Sequence, residues 1–168
     1  MKKFLIALAV IIIANFGCKK EEIGEKGPCA CSPMTYPYLS LVIKNAGGED
    51  LLNSKTSGYF APSQVKLYLV EANGTIKNID FGVRPPFTYG SSLFTFHQLY
   101  SQRIVTLTAS TAGIFYLKLG DHQPYKLSLK LNAPMQKIDK LLINDKEAVV
   151  ETGTLQNYSD GNIFYLAH

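Results

Sequence analysis

Residues 125–131 read YKLSLKL and alternate strictly between apolar and polar side chains. Successive side chains of a β-strand point to opposite faces, so this pattern predicts a strand with one face in a core and the other in water. A helix would scatter the same apolar groups around its axis. The stretch therefore favours an antiparallel sheet.

The same two-residue period recurs along the chain, in residues 39–44, 65–70 and 115–119, and short apolar runs at 141–143, 148–150 and 162–166 suggest further strands. Turn-forming residues separate these segments, at 45–48, Asn73-Gly74, 120–122, 144–146 and 159–162. About eight to ten short strands at this spacing predict an all-β fold, an antiparallel β-sandwich. We expect an immunoglobulin-like architecture, although the chain has no Trp and so lacks the Cys…Trp…Cys hallmark of antibody domains.

The first 18 residues have the layout of a secretory signal peptide. Lys2 and Lys3 form a short basic head, residues 4–14 are an unbroken apolar run, and the small residue Gly17 precedes Cys18. The run is shorter than the about 20 residues that a membrane span needs. The sequence thus predicts a signal peptide at 1–17, a flexible polar tether at 18–35 and one folded domain at 36–168.

Gly17-Cys18 after an apolar run resembles the lipobox of bacterial lipoproteins, with Asn15 where Leu, Val or Ile is usual. Residues 19–22 (KKEE) resemble the tag after the lipidated cysteine in surface lipoproteins of Bacteroidota-type bacteria. Residues 49–53 with 65–68 are loosely similar to small lipoproteins of the same group that carry no known activity. These resemblances imply lipid on Cys18 and an outer-membrane anchor, facing outward or toward the periplasm. The alternatives are an unmodified cysteine and a charged tether without a sorting role.

The charge of the full chain overstates that of the mature protein. The whole sequence has 17 basic and 13 acidic side chains, and removing residues 1–17 takes away Lys2 and Lys3, which leaves 15 against 13. No basic cluster in the sequence indicates nucleic-acid binding, so we expect no nucleic-acid partner. The partners to expect are the membrane, through the lipid, and a protein or glycan.

Two cysteines remain beyond the anchor, Cys29 and Cys31, separated by one residue. An oxidising compartment permits a disulfide, either between these two or with another chain. A redox site usually has two residues between its cysteines, and a zinc site needs further ligands that are not nearby in sequence. We expect no metal site and no cofactor.

Catalytic residues are hard to place, because the three histidines, His97, His122 and His168, stand in turns, at a strand end or at the last position. A serine hydrolase needs a base beside a nucleophile on a strained turn, and no Gly-x-Ser-x-Gly motif is present. A small envelope hydrolase whose site is assembled from loops therefore remains the alternative function.

An aromatic, proline-rich segment spans residues 81–97 and contains Arg84, Phe87 and Tyr89. Aromatic residues and arginine dominate binding hot spots, so these three residues are the candidate contact surface. Phe94 and Phe96 alternate and are expected in a core. The sequence as a whole predicts a membrane-anchored, exported lipoprotein with a non-catalytic binding or accessory role in the cell envelope, with a protein, peptide or glycan partner.

Overall fold

The computed structural model describes residues 37–110, 113–132, 137–153 and 162–168. These residues contain one helix, α1 (Arg103–Ser110), and a single 3-10 turn at Pro62–Gln64. No helix in these ranges is both long and apolar enough to cross a bilayer. The strands are β1 (Leu39–Lys44), β2 (Val65–Glu71), β3 (Ile76–Asn78), β4 (Gly82–Arg84), β5 (Phe87–Tyr89), β6 (Ser92–Phe94), β7 (Gln98–Ser101), β8 (Gly113–Leu119), β9 (Tyr125–Leu131), β10 (Ile138–Ile143), β11 (Lys146–Glu147), β12 (Val149–Val150) and β13 (Ile163–Ala167).

The strands form two large sheets and one small one. The five-stranded sheet has the order β12-β13-β1-β7-β4, the six-stranded sheet has the order β11-β10-β9-β8-β2-β3, and β5 pairs only with β6. Neighbouring strands are antiparallel except for β1 and β13, which run parallel. The all-β sandwich is confirmed. The immunoglobulin-like architecture stays a prediction. The six-stranded sheet consists mostly of strands that are consecutive in the sequence, whereas immunoglobulin-like sandwiches have Greek-key connections.

The core lies between the two large sheets and explains the two-residue period. Leu41 and Phe164 contribute from the five-stranded sheet, and Leu67 and Leu117 from the six-stranded sheet, and none is more than 1% exposed. Burying one such side chain contributes about 1.5–3 kcal/mol. The alternation therefore places every second side chain of a strand in the core, where its burial stabilises the fold.

The small β5–β6 sheet forms a third layer on the outer face of the five-stranded sheet. The outward-facing Val42 of β1 packs with Phe94 of β6 and Ile163 of β13, and Val42 is fully buried. The alternation in residues 39–44 predicted that Val42 faces water. That prediction is wrong because the hairpin covers this face.

The predicted turns at Asn73-Gly74 and 144–146 are confirmed. Gly74 adopts φ +83° between β2 and β3, and Asn144 and Asp145 adopt φ 49° and 64° between β10 and β11. Positive φ at both central residues matches the right-handed twist of the flanking strands, and asparagine, aspartate and glycine tolerate it best. Gly90, with φ +59°, opens the two-residue turn between β5 and β6.

Several sequence predictions lie outside the described residues: the signal peptide 1–17, the tether 18–35 with Cys18, Cys29 and Cys31, and the turn at residues 159–161. The helix α1 was not predicted. It buries Ile104 and Val105 in the main core, and the hydroxyl of Thr108 donates to the carbonyl of Ile104. Burial of its apolar side overrides the strand preference of these β-branched residues.

Candidate functional site

An aromatic layer covers the outer face of the five-stranded sheet, and we define it as Tyr38, Phe87, Phe94, Phe96, Tyr100 and Tyr165. The rings of Phe94 and Phe96 meet at 5.8 Å between centroids, and those of Phe96 and Tyr165 at 6.3 Å, both nearly edge to face. Such pairs contribute about 0.5–1.5 kcal/mol beyond their buried area. Phe94 is buried, as predicted, whereas Phe96 is half-buried.

Two cations sit within this layer. The ammonium of Lys44 lies 3.8 Å from the ring centroid of Phe96 and 4.2 Å from that of Tyr165. The guanidinium of Arg84 lies 5.6 Å from the ring of Tyr100 and 6.0 Å from that of Phe87. A cation over an aromatic face is attracted by the negative charge of the π system, so the layer holds both side chains in place.

The structure brings together two of the three residues predicted as a contact surface, Arg84 and Phe87. Tyr89 lies two residues after Phe87 on β5, on the same side of that strand, and is 38% exposed. Gly82 makes room for this arrangement, since a Cβ there would stand 2.6 Å from the ring of Tyr100. Whether the three residues form a contact surface stays a prediction.

A hydroxyl–carboxylate contact closes one end of the aromatic layer. The hydroxyl of Tyr165 donates a short hydrogen bond to Oε2 of Glu151. Burial raises the pKa of the Tyr165 phenol, and the hydrogen bond and the charge of Glu151 raise it further. The Tyr165 phenol is therefore neutral at physiological pH and acts as the donor to Glu151.

A buried carboxylate joins two loops beside this layer. Asp50 is 7% exposed, and its Oδ1 accepts the backbone N–H of Leu52 at 2.9 Å. Its Oδ2 accepts the backbone N–H of His97 at 2.7 Å and lies 2.8 Å from Nδ1 of that histidine. This contact fixes the orientation of the imidazole, with Nδ1 turned toward the carboxylate.

A histidine oriented by a buried carboxylate is the arrangement that serine hydrolases use for their base. In the part of the chain that the structure describes, no hydroxyl or thiol forms a hydrogen bond with His97. The pair therefore orients an imidazole but lacks a nucleophile there. Sequence reasoning considered His97 but missed Asp50, because 47 positions separate the two residues and no motif connects them.

The other two histidines meet at the end of β13, where both contact the ring of Phe60. The rings of His122 and His168 stand edge to face at 4.5 Å, and the hydroxyl of Tyr125 lies 2.8 Å from Nδ1 of His168. Burial lowers the pKa of His168, and the neighbouring His122 lowers it further. Among the described ranges, no group of three or more His, Cys, Asp or Glu is placed to hold a metal ion.

Gln98 is the least satisfied polar residue beneath the aromatic layer. Its side chain is fully buried, and neither its amide nitrogen nor its amide oxygen has a hydrogen-bond partner among the described residues. We expect Gln98→Met to raise the free energy of unfolding by about 1–2 kcal/mol, because the volume is similar and the unpaired amide is removed. Urea unfolding of the two proteins measures this, and a less stable variant would show that the amide has a partner.

No protein-family model, curated protein or solved structure matches this chain.

Proposed function

We propose that this protein is an exported lipoprotein, anchored in the outer membrane through Cys18, whose sandwich has a non-catalytic binding or accessory role in the cell envelope. The signal-like segment 1–17, Gly17-Cys18 and the KKEE residues support the anchor. The tether at 18–35 gives the domain reach from the membrane surface.

The observation that carries the binding role is the exposed β5–β6 hairpin. Both strands of this two-stranded sheet carry an exposed apolar or aromatic side chain. Leu93 on β6 is 66% exposed, and Tyr89 on β5 is 38% exposed. A large apolar side chain that projects from a surface hairpin exposes apolar area that a partner can bury, and aromatic residues and arginine are enriched where partners bind tightly. The aromatic layer beneath fixes the hairpin, so little ordering is required on association.

A protein or peptide partner suits this hairpin surface, which we define as Leu93 and its exposed cross-strand partner Thr88, with Tyr89 beside the turn. Leu93 lies on the hairpin face opposite the packed Phe87 and Phe94, and an exposed apolar side chain fits the pocket of another macromolecule. Arg84 lies beside the hairpin, with its guanidinium 6.0 Å from the ring of Phe87.

The small envelope hydrolase remains the second candidate, and one observation favours it. The Asp50–His97 pair has the geometry of an oriented base, with a contact of 2.8 Å between Oδ2 and Nδ1. This candidate requires a nucleophile within hydrogen-bond reach of Nε2 of His97.

Photo-crosslinking in intact cells tests the binding role. With benzoylphenylalanine in place of Leu93, we expect one or a few discrete protein adducts, because that side chain would sit inside the interface. The same probe at Ile76 is the matched control, since Ile76 is 64% exposed and lies on β3, in the other large sheet. Equal adducts at both positions, or none at position 93, would argue against the proposed surface.

A further inference from the structure

The outer face of the six-stranded sheet carries a row of side chains that alternate with the core residues of β2 and β8. The register pairs them directly across the two strands. We define the open face by these three pairs: Lys66 with Lys118, Tyr68 with Tyr116, and Val70 with Ile114. Same-face residues on one strand are about 7 Å apart, so the three pairs form a track of about 14 Å.

No described layer covers the open face, in contrast to the outer face of the other large sheet. Val42, beneath the hairpin, is fully buried, whereas Ile114 is 44% exposed and its neighbour Ile76, on the edge strand β3, is 64% exposed. Among the described residues, Lys66 and Ile114 of the open face are exposed and the other four are half-buried.

The lysine pair at one end of the track has no counter-charge. Lys66 and Lys118 stand directly opposite each other, and like charges in that position destabilise a sheet. Lys126 and Lys140 on the same sheet each have a carboxylate oxygen within 2.8 Å, but in the ranges that the structure describes neither lysine of the pair has one within ion-pair distance. Two adjacent, uncompensated ammonium groups form a site for an anion.

The tyrosine pair continues the track. The rings of Tyr68 and Tyr116 stack at 5.4 Å and 21°. Burial raises the pKa of Tyr68, and the neighbouring Tyr116 raises it further, so the phenol is neutral and adds no negative charge beside the lysines. Two rings held together in this way present an apolar surface edged by hydroxyl donors.

A small cleft lies at the other end of the track. The pairing of β8 with β9 stops at Phe115 and Leu127, and beyond that point there is a cavity of about 200 Å³. Its lining includes Ile114 of the open face and the polar side chains of Thr108, Lys126 and Ser128. Along the track, the lysine pair is therefore followed by the tyrosine pair and then by the polar cleft.

We propose that the open face binds an acidic oligosaccharide of about three sugar units. A carboxylate or sulfate of one unit binds between Lys66 and Lys118, a sugar ring packs on Tyr68 and Tyr116, and the next unit enters the cleft beside Lys126. The proposal concerns a surface separate from the β5–β6 hairpin and is independent of the partner bound there.

The distribution of charge favours a glycan over a nucleic acid. A protein that binds single strands follows the phosphate backbone with a continuous series of cations, and most of its affinity comes from releasing counterions. Here, carboxylates pair with Lys126 and Lys140, so acidic groups interrupt the described lysines of this sheet, whereas Lys66 and Lys118 face each other without such a partner. One anionic group beside an aromatic surface matches a sugar acid better than a phosphate chain.

Calorimetric titration of the full chain in detergent tests the proposal, with trigalacturonate as the probe and maltotriose as its neutral counterpart. We expect K66Q/K118Q to lower the affinity for trigalacturonate by about tenfold or more, because both charge contacts are lost. K130Q is the matched control, since Lys130 is 76% exposed on the neighbouring strand β9, and its affinity should stay within about twofold. Y116A should also weaken binding, which a purely ionic attraction would not predict.

A measurement of stability controls for loss of the fold in K66Q/K118Q. Thermal unfolding of K66Q/K118Q at or above the wild-type temperature shows that the fold is intact, as expected when a like-charge pair is removed. The proposal is overturned by absence of trigalacturonate binding, by equal binding of maltotriose, or by an equal loss in K130Q. Tighter binding of oligothymidylate than of trigalacturonate would assign the face to nucleic acid. Loss of hairpin crosslinking at Leu93 would leave this result unchanged, so the two proposals fail separately.

Discussion

Replacing Asp50 with alanine is expected to lower the free energy of unfolding by about 3 kcal/mol, since each orphaned buried donor costs about 1–3 kcal/mol. The carboxylate accepts the backbone N–H groups of Leu52 and His97 at 2.9 and 2.7 Å, and the substitution leaves both without an acceptor. It also releases the His97 ring. Most single substitutions lower the free energy of unfolding by less than about 3 kcal/mol. A decrease of this size would show that the hydrogen bonds of Asp50 are a main connection between the two loops.

Two controls separate this effect from a general loss of charge. Asp80 is exposed, and Asp80→Ala should change the stability by no more than about 0.5 kcal/mol. His97→Ala removes only the side-chain contact and should cost less than Asp50→Ala, because the backbone bonds to the carboxylate remain. Urea unfolding at neutral pH measures all three variants. If Asp50→Ala is as stable as Asp80→Ala, the carboxylate does not hold the loops together.

Cys18→Ser is expected to remove the protein from the membrane fraction. Serine offers no thiol for lipid transfer, and the affinity of an acylated protein for a bilayer comes from about 0.8 kcal/mol for each buried CH₂. The variant should appear in the soluble fraction, or accumulate as a precursor that retains residues 1–17. Fractionation followed by mass spectrometry of the intact chain distinguishes these two results.

Cys29→Ser is the matched variant, because it removes a thiol and leaves the anchor residue unchanged. It should stay in the membrane fraction with the mass of the lipidated chain. A fully processed Cys18→Ser protein that remains in the membrane, or a wild-type chain without an acyl group, would contradict the proposed anchor. The binding role would then lose its assigned location.

The strands were predictable because the alternation of apolar and polar residues within each strand shows which of its side chains are buried. Residues 65–70 and 115–119 alternate in the sequence and form β2 and β8, with odd positions in the core. Local alternation cannot show what covers the second face of a sheet. The burial of Val42 depends on a hairpin some 50 positions away, and for that reason the third layer was not foreseen.

The candidate sites were predictable only in part. Arg84 and Phe87 lie three positions apart, and their contact follows from one short segment. The Asp50–His97 pair and the Lys66–Lys118 pair join distant positions through the register of strands and loops, which a single sequence does not fix. The near balance of basic and acidic residues beyond residue 17, 15 against 13, also hid the lysines, because alternation collects them on one face only after folding.

The parallel pairing of β1 with β13 determines when during folding the five-stranded sheet can be completed. Leu41 and Phe164 are partners near the middle of one sheet, yet they come from distant parts of the polypeptide. Contacts between such distant segments form late and slowly, since the intervening chain loses entropy before the contact is gained. For a chain that crosses a membrane with its first residues leading, the centre of this sheet stays open until residues 163–167 arrive. Under the proposed export, this sheet can therefore be completed only after its last strand has crossed the membrane.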